Sequence, residues 1–286
     1  MTHVPSAQQL GAFSAGADRA CALFYEFSAP DPRTVQVALA GLAAGHGGRL
    51  RWAADEEAVL CGRVALFHRA LLLHFASRDA ARAFVTDEGH ATAVATCTSL
   101  QVAVLGDMPR AITLVSALLA RVLPHWPFDD TLADGEEPGV DVSTTMPTSQ
   151  AIAAVRAHPQ QASPVTMINW LKFRPQAAYR DGEPPASGRE AYYRYGKVAL
   201  AATHSLGAKL VYACRFRQIL VGNGGDPGLG RWDEFALMQY PGRATFGRMA
   251  QLKRYRAGLH HREAGLAEWG QGLTVSRPAD EFTWRR

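Results

Sequence analysis

Two histidines stand side by side in "HHREAGL", His260 and His261, followed by Arg262 and Glu263. Histidine changes charge near neutral pH, which suits proton transfer. Neighbours on a helix point about 100° apart, so the pair cannot close on one metal ion, and no His-x-x-x-His spacing supplies a substitute. Other residues able to do chemistry lie upstream. Asn169 falls in "VTMINWLKF", where period-two alternation sets it on the face of Met167 and Leu171, opposite Lys172. An amide on an apolar face needs a hydrogen-bond partner or a ligand. In "REAYYRYG", Tyr192 and Tyr195 are three apart on one helical face and Tyr193 is off it. Each tyrosine brings a hydroxyl that must be satisfied if buried. His204 sits at the end of the same helix, where a cation would favour the helix dipole. Trp232 and Asp233 open a strand, with Arg262 or Arg243 as the expected partner of Asp233.

The elements that must hold these residues alternate in a regular way. "CALFYEF" reads as a strand and "DPRTVQVALAGLAAG" as a helix capped by Asp31 with Pro32 in its first turn. "GRLRWAAD" and "AVLCGR" read as two strands of one hairpin. "ALLLHFAS" is a strand, the stretch after Ser77 a helix, and "TSLQVAVLG" a strand. That order, β-α-β-β-α-β, is the ferredoxin-like arrangement. Residues 164–286 repeat it: "PVTMINWLKF", a helix from Ser187 to Gly207, "AKLVYACRFRQILVG", "RWDEFALMQY", a helical stretch broken at Gly258, and "GLTVSR". "LLLHFASRDAARAF" and "ALMQYPGRATFGRM" match in layout and set His90 opposite Tyr255, the mark of an internal duplication. Residues 107–163 form a connector, with a helix over Ala111–Leu123, an acidic Pro/Gly-rich loop and a short helix stopped by Pro159. The glycine-rich "GNGGDPGLG" lies between two strands and reads as a hairpin loop, since a phosphate loop needs a helix after it.

Several of these pieces agree, in order and spacing, with one known family. The Asn-x-x-Lys-Phe of the strand at Asn169, the Ser-Gly-Arg-Glu-Ala-Tyr helix start, the Trp-Asp strand, the Tyr-Pro-x-Arg turn and the His-Arg-x-Ala-Gly-Leu segment resemble domain of unknown function thirteen-thirty over about Val165–Leu273. That family belongs to the dimeric α+β barrel superfamily. The resemblance implies an α+β fold in which the two ferredoxin-like halves, residues 1–106 and 164–286, form an intramolecular dimeric α+β barrel. It selects His261 and Arg262 rather than His260. Relatives in the superfamily include cofactor-free monooxygenases, haem enzymes, isomerases and decarboxylases.

Composition narrows the class. The 286 residues are 48% hydrophobic and 20% charged, enough for a packed core, with a formal net charge of +4. No Lys/Arg run reaches the length of a nucleic-acid or membrane patch; "LKRYR" reads as a solvated helix face. Cys21, Cys61, Cys97 and Cys214 form no CxxC pair and are expected as free thiols. The N-terminus lacks the features of a signal peptide, and a cytoplasmic protein is expected. The expected function is a small-molecule enzyme without a tightly bound organic cofactor or metal, acting by acid–base chemistry on a modest aromatic or polyketide-like substrate: oxygenation, isomerisation or cyclisation. His261, Asn169 and Tyr195 are the expected catalytic residues. Tyr192, Trp232, Lys172 and Arg262 are expected to bind substrate. A haem enzyme and a non-catalytic ligand-binding protein are the rival readings. No nucleic acid or membrane partner is expected, and a homodimer is left open.

Overall fold

The structure, a computed structural model, describes residues 5–13, 19–62, 66–126, 128, 131–133, 147, 149–179, 184–222 and 232–275. The acidic connector loop and the hairpin loop after Gly222 lie largely outside these residues. In chain order the elements are α1 (Ala7–Phe13), β1 (Cys21–Ser28), α2 (Pro32–Gly45), β2 (Gly48–Cys61), β3 (Arg69–Phe75), α3 (Arg78–Thr86), α4 (Glu88–Val94), β4 (Ser99–Gly106), α5 (Arg110–Val122), α6 (Ser149–Ala157), β5 (Val165–Phe173), α7 (Gly188–Ser205), β6 (Lys209–Val221), β7 (Glu234–Tyr240), α8 (Arg243–Gln251), α9 (Lys253–Arg256), α10 (Leu259–Gly265) and β8 (Leu266–Val275).

The strands close one antiparallel barrel in the order β1-β3-β2-β8-β5-β7-β6-β4. Cut at two places, this order is β4-β1-β3-β2 and β8-β5-β7-β6, the same ferredoxin-like sheet twice, joined by the β2–β8 and β4–β6 pairings. The expected duplication is therefore present as a pseudo-twofold. His90 and Tyr255 support it: both are buried, and each meets a tyrosine hydroxyl, Tyr25 at 2.9 Å and Tyr195 at 2.8 Å.

One expectation fails here. "GRLRWAAD" and "AVLCGR" are not a hairpin but the single strand β2. Its first part pairs with β3 and its second with β8, with register shifts after Leu50 and Glu56. The strand is long because it serves both halves, and β6 does the same with β7 and β4.

Alternation assigns the faces. Leu23, Tyr25 and Phe27 of β1 pack in the core shared with Val35 and Leu39 of α2 and Phe84 of α3, while Ala22 and Phe24 point into the barrel. Both faces are covered, so the strand is buried along its length and apolar apart from Glu26 and Ser28. The barrel interior is packed with aromatic rings: Phe24 lies 4.6 Å from Phe235, and Trp170 4.7 Å from Phe235 and 6.3 Å from Trp232. It is a core, not a ligand chamber. Helix ends follow local chemistry. Asp31 accepts from the Arg33 and Thr34 amides, and Ser187 and Glu190 cap α7 reciprocally. Gly207, at φ +80°, ends α7 in the left-handed region. All four cysteines are buried free thiols, as expected.

A pair of glycines fixes how α10 crosses α7. A Cβ on Gly265 would stand 2.6 Å from the Gly188 carbonyl oxygen and 2.7 Å from the Tyr192 nitrogen, and one on Gly188 would strike the carbonyls of Arg174 and Gly265. Neither partner is a flexible side chain, so the helices would have to separate. Gly265→Ala is expected to destabilise by about 1–3 kcal/mol or more, read from the shift in urea midpoint. An unchanged midpoint would mean the crossing is loose.

Candidate active site

In the second half, the space between sheet and helices is open. A cavity of about 620 Å³ lies there. The equivalent space in the first half is filled by Phe75, Phe84 and their neighbours. The cavity floor is the outward face of β5 and β7: Asn169 pairs with Ala236 and Leu171 with Glu234, and Met238 and Tyr240 continue the alternation. One wall is the face of α7 bearing Tyr192, Tyr195, Ala199 and Thr203. The roof is α5, through Ile112, Val115, Ser116 and Leu119. Tyr255 and Arg262 close the α10 side.

Several polar groups line this mostly apolar cavity, and the Tyr192 and Tyr195 rings lie 5.5 Å apart in its wall. Arg262 is 1% exposed; its Nη1 donates to the Tyr255 hydroxyl at 3.4 Å, and its guanidinium lies 5.5 Å from the centre of the Tyr195 ring. The Tyr195 and Tyr255 hydroxyls are hydrogen-bonded at 2.8 Å. Burial pushes the Tyr192 phenol well above its usual range, the neighbouring Tyr195 adds to this, and the positive Arg262 opposes it. The charge of Glu234 adds a smaller push in the same direction as burial. The Tyr192 hydroxyl has no hydrogen-bond partner among the described residues. Glu234 accepts from the Tyr193 hydroxyl at 2.7 Å and pairs with Arg189 at 3.4 Å. Its carboxyl is raised above the usual range, chiefly by burial.

The sequence-derived site divides. Asn169, Tyr192, Tyr195 and Arg262 meet at the cavity; His261, Trp232 and Lys172 do not line it. His261 lies on the other side of α10, part-exposed, with its Nδ1 2.7 Å from the Tyr179 hydroxyl and its ring against His260. The α7–α10 crossing turns Arg262 inward instead. Trp232 packs in the barrel interior because it precedes β7 rather than lying on its outward face. Lys172 pairs with Asp233 at 3.1 Å, so the partner of Asp233 is neither Arg262 nor Arg243. Asp233 also accepts from the Phe173 amide, which ties the entry of β7 to β5. Asn169 donates to the carbonyls of Met167 and Ala236 at 3.1 and 3.3 Å, and so both braces the sheet and lines the cavity.

His204 was expected as a cation at a helix end. It is fully buried, and burial lowers its pKa, against the opposing hydrogen bond to the Leu200 carbonyl. Its Nδ1 meets the Leu200 carbonyl at 2.9 Å and its Nε2 meets the Ser116 hydroxyl of α5 at 3.2 Å. Glu234, Tyr255, His204 and Ser116 are among the lining residues that the sequence does not single out for the site. Glu234 had a signal: it is the one charge on the alternating face of "EFALMQY" that carries Ala236 and Met238.

Two ferredoxin-like sheets, an outward helical layer on each half and one closed barrel decide the architecture. The chain is a dimeric α+β barrel folded from one polypeptide. No family model matches this dimeric α+β barrel chain, and no curated protein does. Among solved structures, the Rhodopseudomonas palustris protein RPA0582, described as a protein of unknown function, is 29% identical. That match covers 48% of this chain and 98% of its own, with a TM-score of 0.43. A methylated form of RPA0582 is 32% identical over 47% of this chain and 96% of its own, at TM-score 0.42. A mutant chlorite dismutase from Candidatus Nitrospira defluvii is 11% identical over 90% of this chain and 92% of its own, at TM-score 0.43.

Haem, the rival cofactor, can be tested against the donor set. Among the described residues, His204 is the one histidine in the cavity wall. Its Nδ1–carbonyl contact is the arrangement an axial ligand uses. Its Nε2, the nitrogen an iron would need, is taken by Ser116 from the roof helix. The residues do not fit haem as they stand. Added hemin is expected to give no histidine-ligated Soret band. A band that disappears in His204→Ala would restore the haem reading.

Proposed function

We propose that this protein is a small-molecule enzyme that binds a modest aromatic or polyketide-like substrate in the second-half cavity and works by acid–base chemistry without a tightly bound organic cofactor. We also infer that the second half is a member of domain of unknown function thirteen-thirty, on the motifs that surround the cavity. The observation that carries the functional reading is that a phenol, a carboxyl and a guanidinium, those of Tyr192, Glu234 and Arg262, line one mostly apolar cavity.

That arrangement handles a carbonyl or phenol. The substrate oxygen takes a hydrogen bond from Tyr192 and the field of Arg262, and Glu234 removes the proton from the adjacent carbon or hydroxyl. Burial makes Glu234 a stronger base than a solvated carboxylate, and low polarity strengthens the hold on the developing oxyanion. Isomerisation, cyclisation and cofactor-free oxygenation all begin with such a deprotonation. Glu234 thus takes the role that the sequence reading assigned to His261.

The test is deuterium exchange by NMR. Phenols and 1,3-diketones are screened for binding, and bound enolisable ligands are followed for exchange of the acidic C–H. Catalysed exchange in the wild type that is lost in Glu234→Gln supports the reading. Ligands that bind without any exchange would make the cavity a binding site only.

A further inference from the structure

Ser116 of α5 and His204 of α7 meet in the cavity wall, and the contacts around the imidazole fix which nitrogen carries its proton. Nδ1 lies 2.9 Å from the Leu200 carbonyl, one turn back on α7, and 3.4 Å from the Thr203 hydroxyl oxygen. The Thr203 hydroxyl donates its own proton to the Leu200 carbonyl at 3.1 Å. Both partners of Nδ1 are therefore acceptors, so Nδ1 carries the proton and Nε2 presents a lone pair. The Ser116 hydroxyl donates to that lone pair at 3.2 Å. A serine bonded to a basic imidazole nitrogen, with the other nitrogen held by a fixed acceptor, is the arrangement that activates a serine nucleophile. Burial lowers the His204 pKa and so favours the neutral ring that a base requires. Among the side chains that α5 brings to the cavity, Ser116 is the polar one; Ile112, Val115 and Leu119 surround it with an apolar wall.

We propose that Ser116 is a nucleophile that takes the acyl group of an ester with an apolar acyl chain, with His204 as its base. Oγ bonds to the ester carbonyl carbon as its proton passes to Nε2. The bond from that carbon to the alcohol oxygen breaks, and the departing oxygen takes the proton from Nε2. Water, losing a proton to the same nitrogen, then attacks the acyl carbon and releases the acid and the free serine. The step uses none of Tyr192, Glu234 and Arg262. It is a second chemistry of the same cavity, separate from the deprotonation assigned to Glu234.

The test uses the folded full chain and phenylmethylsulfonyl fluoride, which sulfonylates an activated serine with loss of hydrogen fluoride. Peptide mass spectrometry is expected to place the adduct on Ser116 in the folded protein and to find that residue unlabelled in heat-denatured protein, where the relay is gone. Ser116→Ala suits a helix interior, and it should remove both the adduct and the release of p-nitrophenol from p-nitrophenyl hexanoate. His204→Gln should be labelled about 10²–10⁴ times more slowly. Should that variant fail to fold, the denatured wild type supplies the unactivated comparison. No adduct on Ser116 in the folded wild type, or an adduct on Tyr192 alone, overturns the proposal and leaves the pair as a hydrogen bond pinning α5 to α7. So does labelling of Ser116 at the same rate in folded and denatured protein. No enolisable ligand enters the assay, so its failure leaves the exchange test of Glu234 untouched.

Discussion

Once a substrate is in hand, Glu234→Gln is expected to lower kcat by about 10²–10⁴, the usual effect of removing a positioned acid–base group. His261→Ala is expected to stay near wild type, although His261 adjoins the cavity-lining Arg262 in sequence. The two variants separate the cavity from the helix surface, and equal losses in both would remove Glu234 from its role. The pH profile gives an independent readout. Burial raises the Glu234 carboxyl, so the active, ionised base accumulates only above the usual carboxylate range. The rate should therefore rise with pH along an acid limb displaced upward, and that limb should vanish in Glu234→Gln. Tyr192→Phe removes only a hydroxyl that binds nothing among the described residues. It should lower kcat with little change in stability, whereas Arg262, being buried, cannot be cut back without also disturbing the Tyr195–Tyr255 contact.

Local rules were enough for most of the barrel. The caps at Asp31, Ser77 and Ser187, the apolar runs of β1 and β5 and the repeat of element order depend on near neighbours in sequence. The hairpin error at β2 arose because no local signal says that a strand changes partner sheet midway. The site was half legible for the same reason. Asn169, Tyr192 and Tyr195 followed from the period of their own elements. Choosing between His261 and Arg262 required the rotation of α10, and that is set by the contact of Gly265 with Gly188, 77 residues away in the chain (265 − 188). His204 could not be read as buried because its cover, Ser116, comes from the connector. Trp232 was misplaced by a boundary of two residues at the start of β7, enough to send it to the barrel interior.

Stability should fall as pH rises from about 6.5 to about 8, the reverse of what buried histidines alone would give. Glu26 and Glu56 are the reason. Glu26 is 2% exposed and accepts from the Gln101 side-chain amide at 2.9 Å; Glu56 accepts from the Phe67 amide at 3.1 Å and has its second oxygen buried with no partner among the described residues. Burial raises both carboxyls, with the charge of Glu56 adding to the rise at Glu26, and Glu56 reaches about 8. For an acid raised in the folded state, the native protein holds a proton that the unfolded chain has released. Its contribution is complete below the ordinary value of 4.5 and is lost as pH climbs to the folded value. His90, lowered to about 4, and His204 work the other way, but their contribution is complete above the ordinary 6.5. Between those limits the carboxyls dominate, at roughly 1.4 kcal/mol per pH unit for each group fully in its window. Urea unfolding of the wild type and of Glu56→Gln, at about pH 6 and about pH 9, reads this directly. The wild type should lose a few kcal/mol between the two, as an order of magnitude, and the amide variant distinctly less. A wild type equally stable at both would show that Glu26 and Glu56 ionise at ordinary values, with water reaching that end of the barrel.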